Sequence, residues 1–125
     1  MTLGQKQRRF TQAVGLLIAY AYARGYELTL GDAHRDKRAY GPFGSNTTTK
    51  GGEAAYGHRH SLHKVRLAID FNLFIDGEYM EMTSDHEPLG EYWEKVIAAR
   101  VGLPLCWGGR FNDGNHYSCE HEGMK

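Results

Sequence analysis

Two short stretches of the chain bring together residue types that can bind a metal ion and move a proton. His63 and Asp70 lie in Ser61-Leu62-His63-Lys64-Val65-Arg66-Leu67-Ala68-Ile69-Asp70, and Asp113 and His116 lie in Asn112-Asp113-Gly114-Asn115-His116. Two imidazoles and one carboxylate hold zinc with a fourth position left for water, the pattern of catalytic rather than structural sites. A further carboxylate nearby that is not a ligand could act as general base. Each piece also has a plainer reading. An aspartate on an open strand position is commonly only solvated, and Asp-Gly is a common turn, after which His116 is an ordinary strand histidine.

The elements that must position these groups are readable in outline. In a strand from Leu67 to Ile75, period-two alternation puts Leu67, Ile69, Phe71 and Leu73 on an apolar core face. Ala68, Asp70 and Asn72 then share the other, open face. His63 precedes Asp70 by an odd separation, so it must come from a loop or turn ahead of the strand that curls back to the same side. Asp113 and His116 can face one centre if the backbone makes a turn-like step, which Asp-Gly permits. Asp76-Gly77 predicts a hairpin returning through Glu78 to Met82.

Thr2 and Gln5 have capping-box spacing ahead of a helix to about Arg24, with Phe10, Ala13, Val14, Leu17, Ile18 and Ala21 on one face and Gly25 at the left-handed cap. Tyr26, Leu28 and Leu30 alternate as a short strand. Leu89, Tyr92, Trp93, Val96 and Ile97 predict a second helix, ended by Gly102 and Pro104. From Leu105 a glycine-rich loop is expected, then a last strand over Asn115 to Glu120. The polar, glycine-rich segment from Gly31 to His60 reads as a lid or binding loop, or else as a partly disordered stretch. The expected fold is α+β: one domain over residues 1–125, a small antiparallel sheet flanked by two helices, with the site on the sheet's open face.

Composition removes several functions. The 15 Lys and Arg balance the 15 Asp and Glu, so the formal charge is zero and the excess of cations that a general nucleic-acid binder needs is missing. This also disfavours a metal nuclease built on His58, His60 and His63. No run approaches the ~18 apolar residues of a membrane span. Ala13 to Ala23 follows Lys6, Arg8 and Arg9 and mimics an export signal, yet it contains Gly15, Tyr20 and Tyr22 and reads as a helix of the fold. No export signal and no stable membrane association are therefore expected. Cys106 and Cys119 form no close pair and are expected as free thiols. His34, His86 and His121 have no carboxylate or thiolate partner at readable spacing.

Taken together, the residues carry a resemblance. Ser61, His63, Ala68 and Asp70 match the pattern S-x-H-x-x-G-x-A-x-D, Asp113 and His116 match a downstream acid-x-x-His element, and Trp107-Gly108-Gly109-Arg110-Phe111 resembles the approach to the final histidine. The chain resembles the zinc D-alanyl-D-alanine carboxypeptidase family, which includes vancomycin-resistance D,D-dipeptidases and phage endolysins that act as L-alanyl-D-glutamate peptidases. Hedgehog signalling domains are similar in fold. The resemblance implies one Zn2+ per chain held by His63, Asp70 and His116, with Asp113 as general base. It further implies Arg35 as stabiliser of the oxyanion and Ser61 as a substrate hydrogen-bonding group.

The implied substrate is the peptidoglycan stem peptide, cut at L-Ala–D-Glu or at D-Ala–D-Ala. The implied setting is a monomeric phage or prophage endolysin that accumulates in the host cytoplasm and reaches the wall after membrane permeabilisation. A zinc-bearing binding module without turnover is the alternative on the same scaffold. Three positions depart from the family pattern: Arg66 where glycine is usual, Asp113 for the longer glutamate, and Tyr117-Ser118 for Phe-Glu.

Overall fold

A computed structural model describes residues 1–31 and 62–125. Arg35 and Ser61, with His34, His58, His60 and nearly all of the glycine-rich segment, lie outside the described residues.

The first helix, α1 (Leu3–Ala23), begins as its sequence requires. Thr2 Oγ1 accepts from Gln5 N at 3.1 Å and Gln5 Oε1 accepts from Thr2 N at 2.8 Å, closing a reciprocal cap. Phe10, Ala13, Leu17 and Ala21 are buried, so the apolar stretch that mimicked an export signal is a core helix. Gly25, at φ +85°, turns the chain into β1 (Tyr26–Leu30).

The sheet is antiparallel and built around β2 (Ala68–Ile75). One edge of β2 pairs with β1, with Leu30 opposite Phe71 and Tyr26 opposite Ile75. The other edge is divided. Its far half, Leu73 to Ile75, pairs with β3 (Glu78–Met80) through an Asp76-Gly77 turn whose residues both have positive φ, the hairpin geometry that dipeptide favours. Its near half, Ala68 to Asp70, pairs with β5 (His116–Cys119). A short strand β4 (Leu105–Trp107) lies outside β5. The expected loop at Leu105 is thus a strand for three residues, too few to show alternation and ordered by pairing with β5.

Between β3 and β4 the chain runs through a 3-10 turn (Thr83–His86) into α2 (Glu87–Tyr92), a π-helical turn (Trp93–Ile97) and α3 (Ala98–Val101). Leu89, Trp93, Ile97 and Val101 are buried at a strict spacing of four. An α-helix drifts about 40° per such step, and the wider π turn absorbs the drift. Val96, expected on the buried face, is 42% exposed for that reason. Trp93 Nε1 donates to the carbonyls of Cys106 (2.9 Å) and Ser118 (3.2 Å), tying this helix to β4 and β5. The core lies between the helices and one sheet face, around Phe10, Leu17, Phe71, Leu73, Trp93 and Tyr117.

The turn ahead of β2 explains the arginine at a glycine position. Leu67 N donates to Leu62 O (2.9 Å) and Arg66 N to His63 O (3.2 Å), the paired bonds of a Schellman turn. Leu62 and Leu67, both buried, supply its hydrophobic contact. Arg66 therefore occupies the left-handed C′ position and adopts φ +58° despite its side chain. The departure changes the residue, not the backbone. Left-handed geometry costs a non-glycine residue roughly 1–2 kcal/mol, partly offset by glycine's greater freedom in the unfolded chain. Arg66→Gly is expected to stabilise the fold by about 1 kcal/mol, read as a higher denaturant midpoint with an unchanged slope.

Candidate metal centre

Three side chains from three separate places meet above the near half of β2. The Schellman turn carries His63 back over the strand, so that its Nε2 lies 3.5 Å from Asp70 Oδ1. His116 opens β5 directly across from Asp70, with its Nδ1 3.2 Å from the same oxygen. Cys119 N donates to Leu67 O and Phe71 N to Asn115 O, so by alternation Asp70 and His116 form a non-hydrogen-bonded cross-strand pair. In such pairs the side chains approach most closely, which is why these two meet. The two imidazoles lie edge to face with centroids 5.3 Å apart.

One donor atom from each residue lies within 4.8 Å of the others, and among the described residues this is the one such group of three or more histidines, cysteines and carboxylates. Donors of a tetrahedral zinc with bonds of ~2.0–2.1 Å stand about 3.3 Å apart, so the 3.2 and 3.5 Å separations fit such an ion. The donor set is also of the right chemistry. Burial pushes the Asp70 carboxyl up, but hydrogen bonds from His116 and His63 outweigh it and hold the group down at about 2. It is ionised throughout the neutral range, as a ligand must be.

The expected open face of β2 is not open at this level. Ala68 and Asp70 are each only 9% exposed. Gly31 is one reason, since its N–H donates to Asp70 O at 2.8 Å and a Cβ there would stand 3.2 Å from Asp70 Cβ.

Asp113 and His116 are joined by the turn-like step their spacing allows: His116 N donates to Asp113 O at 3.1 Å. Asp113 is exposed, and its carboxylate is not one of the three groups that the cluster gathers. The Trp-Gly-Gly-Arg-Phe run builds the support under this turn. Trp107 Nε1 donates to Gly114 O at 2.7 Å, and Asp113 N donates to Gly108 O at 2.9 Å. Glu94 accepts from Trp107 N and from Arg110 Nη2, both at 2.9 Å. The glycines are there for close approach. A Cβ on Gly108 would lie 2.3 Å from Asp113 O and 2.8 Å from His116 Cβ, and one on Gly90 or Gly109 would enter the Trp107 ring. Sequence reading missed Glu94 and Gly90, whose partners are distant in the chain. Cys106 and Cys119 are free thiols outside the cluster, and His121 pairs with Lys6 at 2.9 Å.

His86, unassigned by sequence, is 3% exposed, and its Nδ1 lies 2.8 Å from the hydroxyl of buried Tyr117. Burial pulls the imidazole down to about 4, against a smaller opposing pull from Asp85. Between about pH 6.5 and 4 the unfolded chain therefore binds a proton here that the folded chain does not. Stability from this group is full above that window and is lost as pH falls through it, by up to about 3 kcal/mol. The Asp70 contribution persists to lower pH, being lost only from about 3.8 down towards 2. Urea midpoints at pH 7 and 4.5 should differ less for His86→Asn than for the unaltered protein.

An α+β fold that gathers two imidazoles and a carboxylate beside an exposed aspartate has the makings of a metal-dependent hydrolase. A family model described as D-alanyl-D-alanine carboxypeptidase matches residues 55–119, just over half of the chain, and the chain belongs to this family of peptidases. No curated protein and no solved structure matches the chain significantly.

Proposed function

We propose that the protein is a zinc peptidase that hydrolyses a peptide bond of the peptidoglycan stem. The observation that carries this reading is the convergence of His63, Asp70 and His116 on one point, with separations that suit zinc. Zinc bound there supplies Lewis acidity and makes water acidic enough to react near neutral pH. The chain's own residues do the rest. Asp113 takes the proton of the attacking water and returns it to the departing amine. Arg35 stabilises the charge that develops on the scissile carbonyl oxygen, and Ser61 hydrogen-bonds the substrate. In this reading the protein is a monomeric phage or prophage endolysin, made in the host cytoplasm and acting on the wall once the membrane is permeable. The retained aspartate beside the ligands supports turnover over a zinc-bearing binding module.

Digestion of purified peptidoglycan by the zinc-loaded protein, with products identified by mass, tests the proposal. Stem peptides freed at their amino end mark an L-Ala–D-Glu endopeptidase, and release of free D-alanine marks a carboxypeptidase. Intact peptidoglycan after prolonged digestion would overturn the reading.

A further inference from the structure

The divided edge of β2 leaves a notch between β3 and β5. A cleft of about 150 Å³ occupies it, lined on one side by Tyr79 to Thr83 and on the other by Asn112 to Asn115, so Asp113 forms part of its wall. His86 lines it as well, although nearly all of that residue is covered. This histidine has no part in the proposed proton transfer or metal binding.

Its hydrogen bond to Tyr117 determines what it offers. The Tyr117 ring is fully buried, and among the described residues its hydroxyl pairs with His86 Nδ1. Were Nδ1 the donor, the Tyr117 O–H would be left buried without an acceptor, the costlier arrangement. Tyr117 therefore donates to Nδ1, and the imidazole proton resides on Nε2. Burial keeps the ring neutral at physiological pH, so this tautomer persists. With Nδ1 engaged, the polar atom left to His86 is a single N–H donor at Nε2. The cleft's charged lining is Glu81 and Asp113, with no lysine or arginine. An anionic group would be repelled there, whereas a neutral amide carbonyl would find a donor.

We infer that His86 is a substrate-binding residue whose Nε2–H donates to a backbone carbonyl of the peptide lying in the cleft beside Asp113. The inference rests on the peptidase reading and extends it to a residue, outside the proposed metal ligands, that seats the chain beside Asp113.

Two substitutions separate this role from a structural one. His86→Asn keeps an acceptor near the Nδ1 position for Tyr117 but removes the cleft donor. His86→Gln places an amide N–H near the Nε2 position and gives up the Tyr117 bond. With a purified stem pentapeptide and zinc-loaded protein, His86→Asn should raise KM about five- to tenfold, the scale of one neutral hydrogen bond. Its kcat should stay within about twofold and its zinc at one per chain. His86→Gln should restore KM to near the unaltered value while melting at a lower temperature. If the two variants shift KM equally, or neither does, while the unaltered protein cleaves, the role of His86 is wrong and the peptidase reading stands. If the unaltered protein does not cleave, the peptidase reading fails. Pentapeptide affinity by calorimetry then decides on His86 by the same Asn-against-Gln pattern, and absence of binding overturns that as well.

Discussion

Replacing His116 by alanine is expected to abolish both zinc binding and hydrolysis while leaving the fold in place. His116 is one of the three residues that could hold the ion, and its Nδ1 lies 3.2 Å from Asp70 Oδ1. With it gone, two donors remain, too few to hold zinc against water and buffer. The loss reaches Asp70 as well. Burial favours the neutral carboxylic acid, and the hydrogen bond from His116 is the largest effect opposing it. The surviving aspartate becomes a poorer ligand because its charged form has lost that support. Hydrolysis should fall at least about a thousandfold, since the ion's Lewis acidity contributes several kcal/mol. His63→Ala should behave alike. Metal analysis after dialysis, with far-UV circular dichroism to verify the fold, checks the expectation. Full zinc in either variant would remove that histidine from the ligand set.

The parts of this site that were legible in sequence are those governed by local rules. The odd separation of His63 from Asp70 already required a turn ahead of the strand, although an arginine at position 66 argued against the left-handed backbone that the turn places there. The Thr2–Gln5 cap, the Asp76-Gly77 hairpin and the Asp113-to-His116 turn follow in the same way, from interactions spanning at most four residues. What was not legible is set by partners far along the chain. The pairing of Asp70 with His116 depends on strand register across 46 residues, which no local pattern reveals. Burial of Asp70 depends on Gly31 and on the turn bearing His63, so alternation alone described its face as open. β4 exists because β5 pairs with it, and the exposure of Val96 because a π turn shifts the helix face. The task of glycines 90, 108 and 109 is likewise set by contacts that no local pattern reveals. In three dimensions they are the space into which Trp107 and the Asp113 turn fit.

Asp113 provides the sharpest division between holding the metal and using it. Its backbone belongs to the same turn as His116, fixed by the Trp107–Gly114 and Asp113–Gly108 bonds, but its side chain is not among the three that could hold the ion. Asp113→Asn keeps the size and turn preference of the residue and removes only the capacity to take a proton. It should therefore retain one zinc per chain and lose about 10²- to 10⁴-fold in kcat, the range that general-base catalysis supplies. Asp113→Ala should give the same pair of results, with any added turn destabilisation visible in the melting temperature. The opposite pattern is equally informative. Zinc lost along with activity would make Asp113 a ligand, and unchanged muropeptide release would assign the proton transfer to another group. Retained metal with lost turnover is the outcome that a general base outside the coordination set requires.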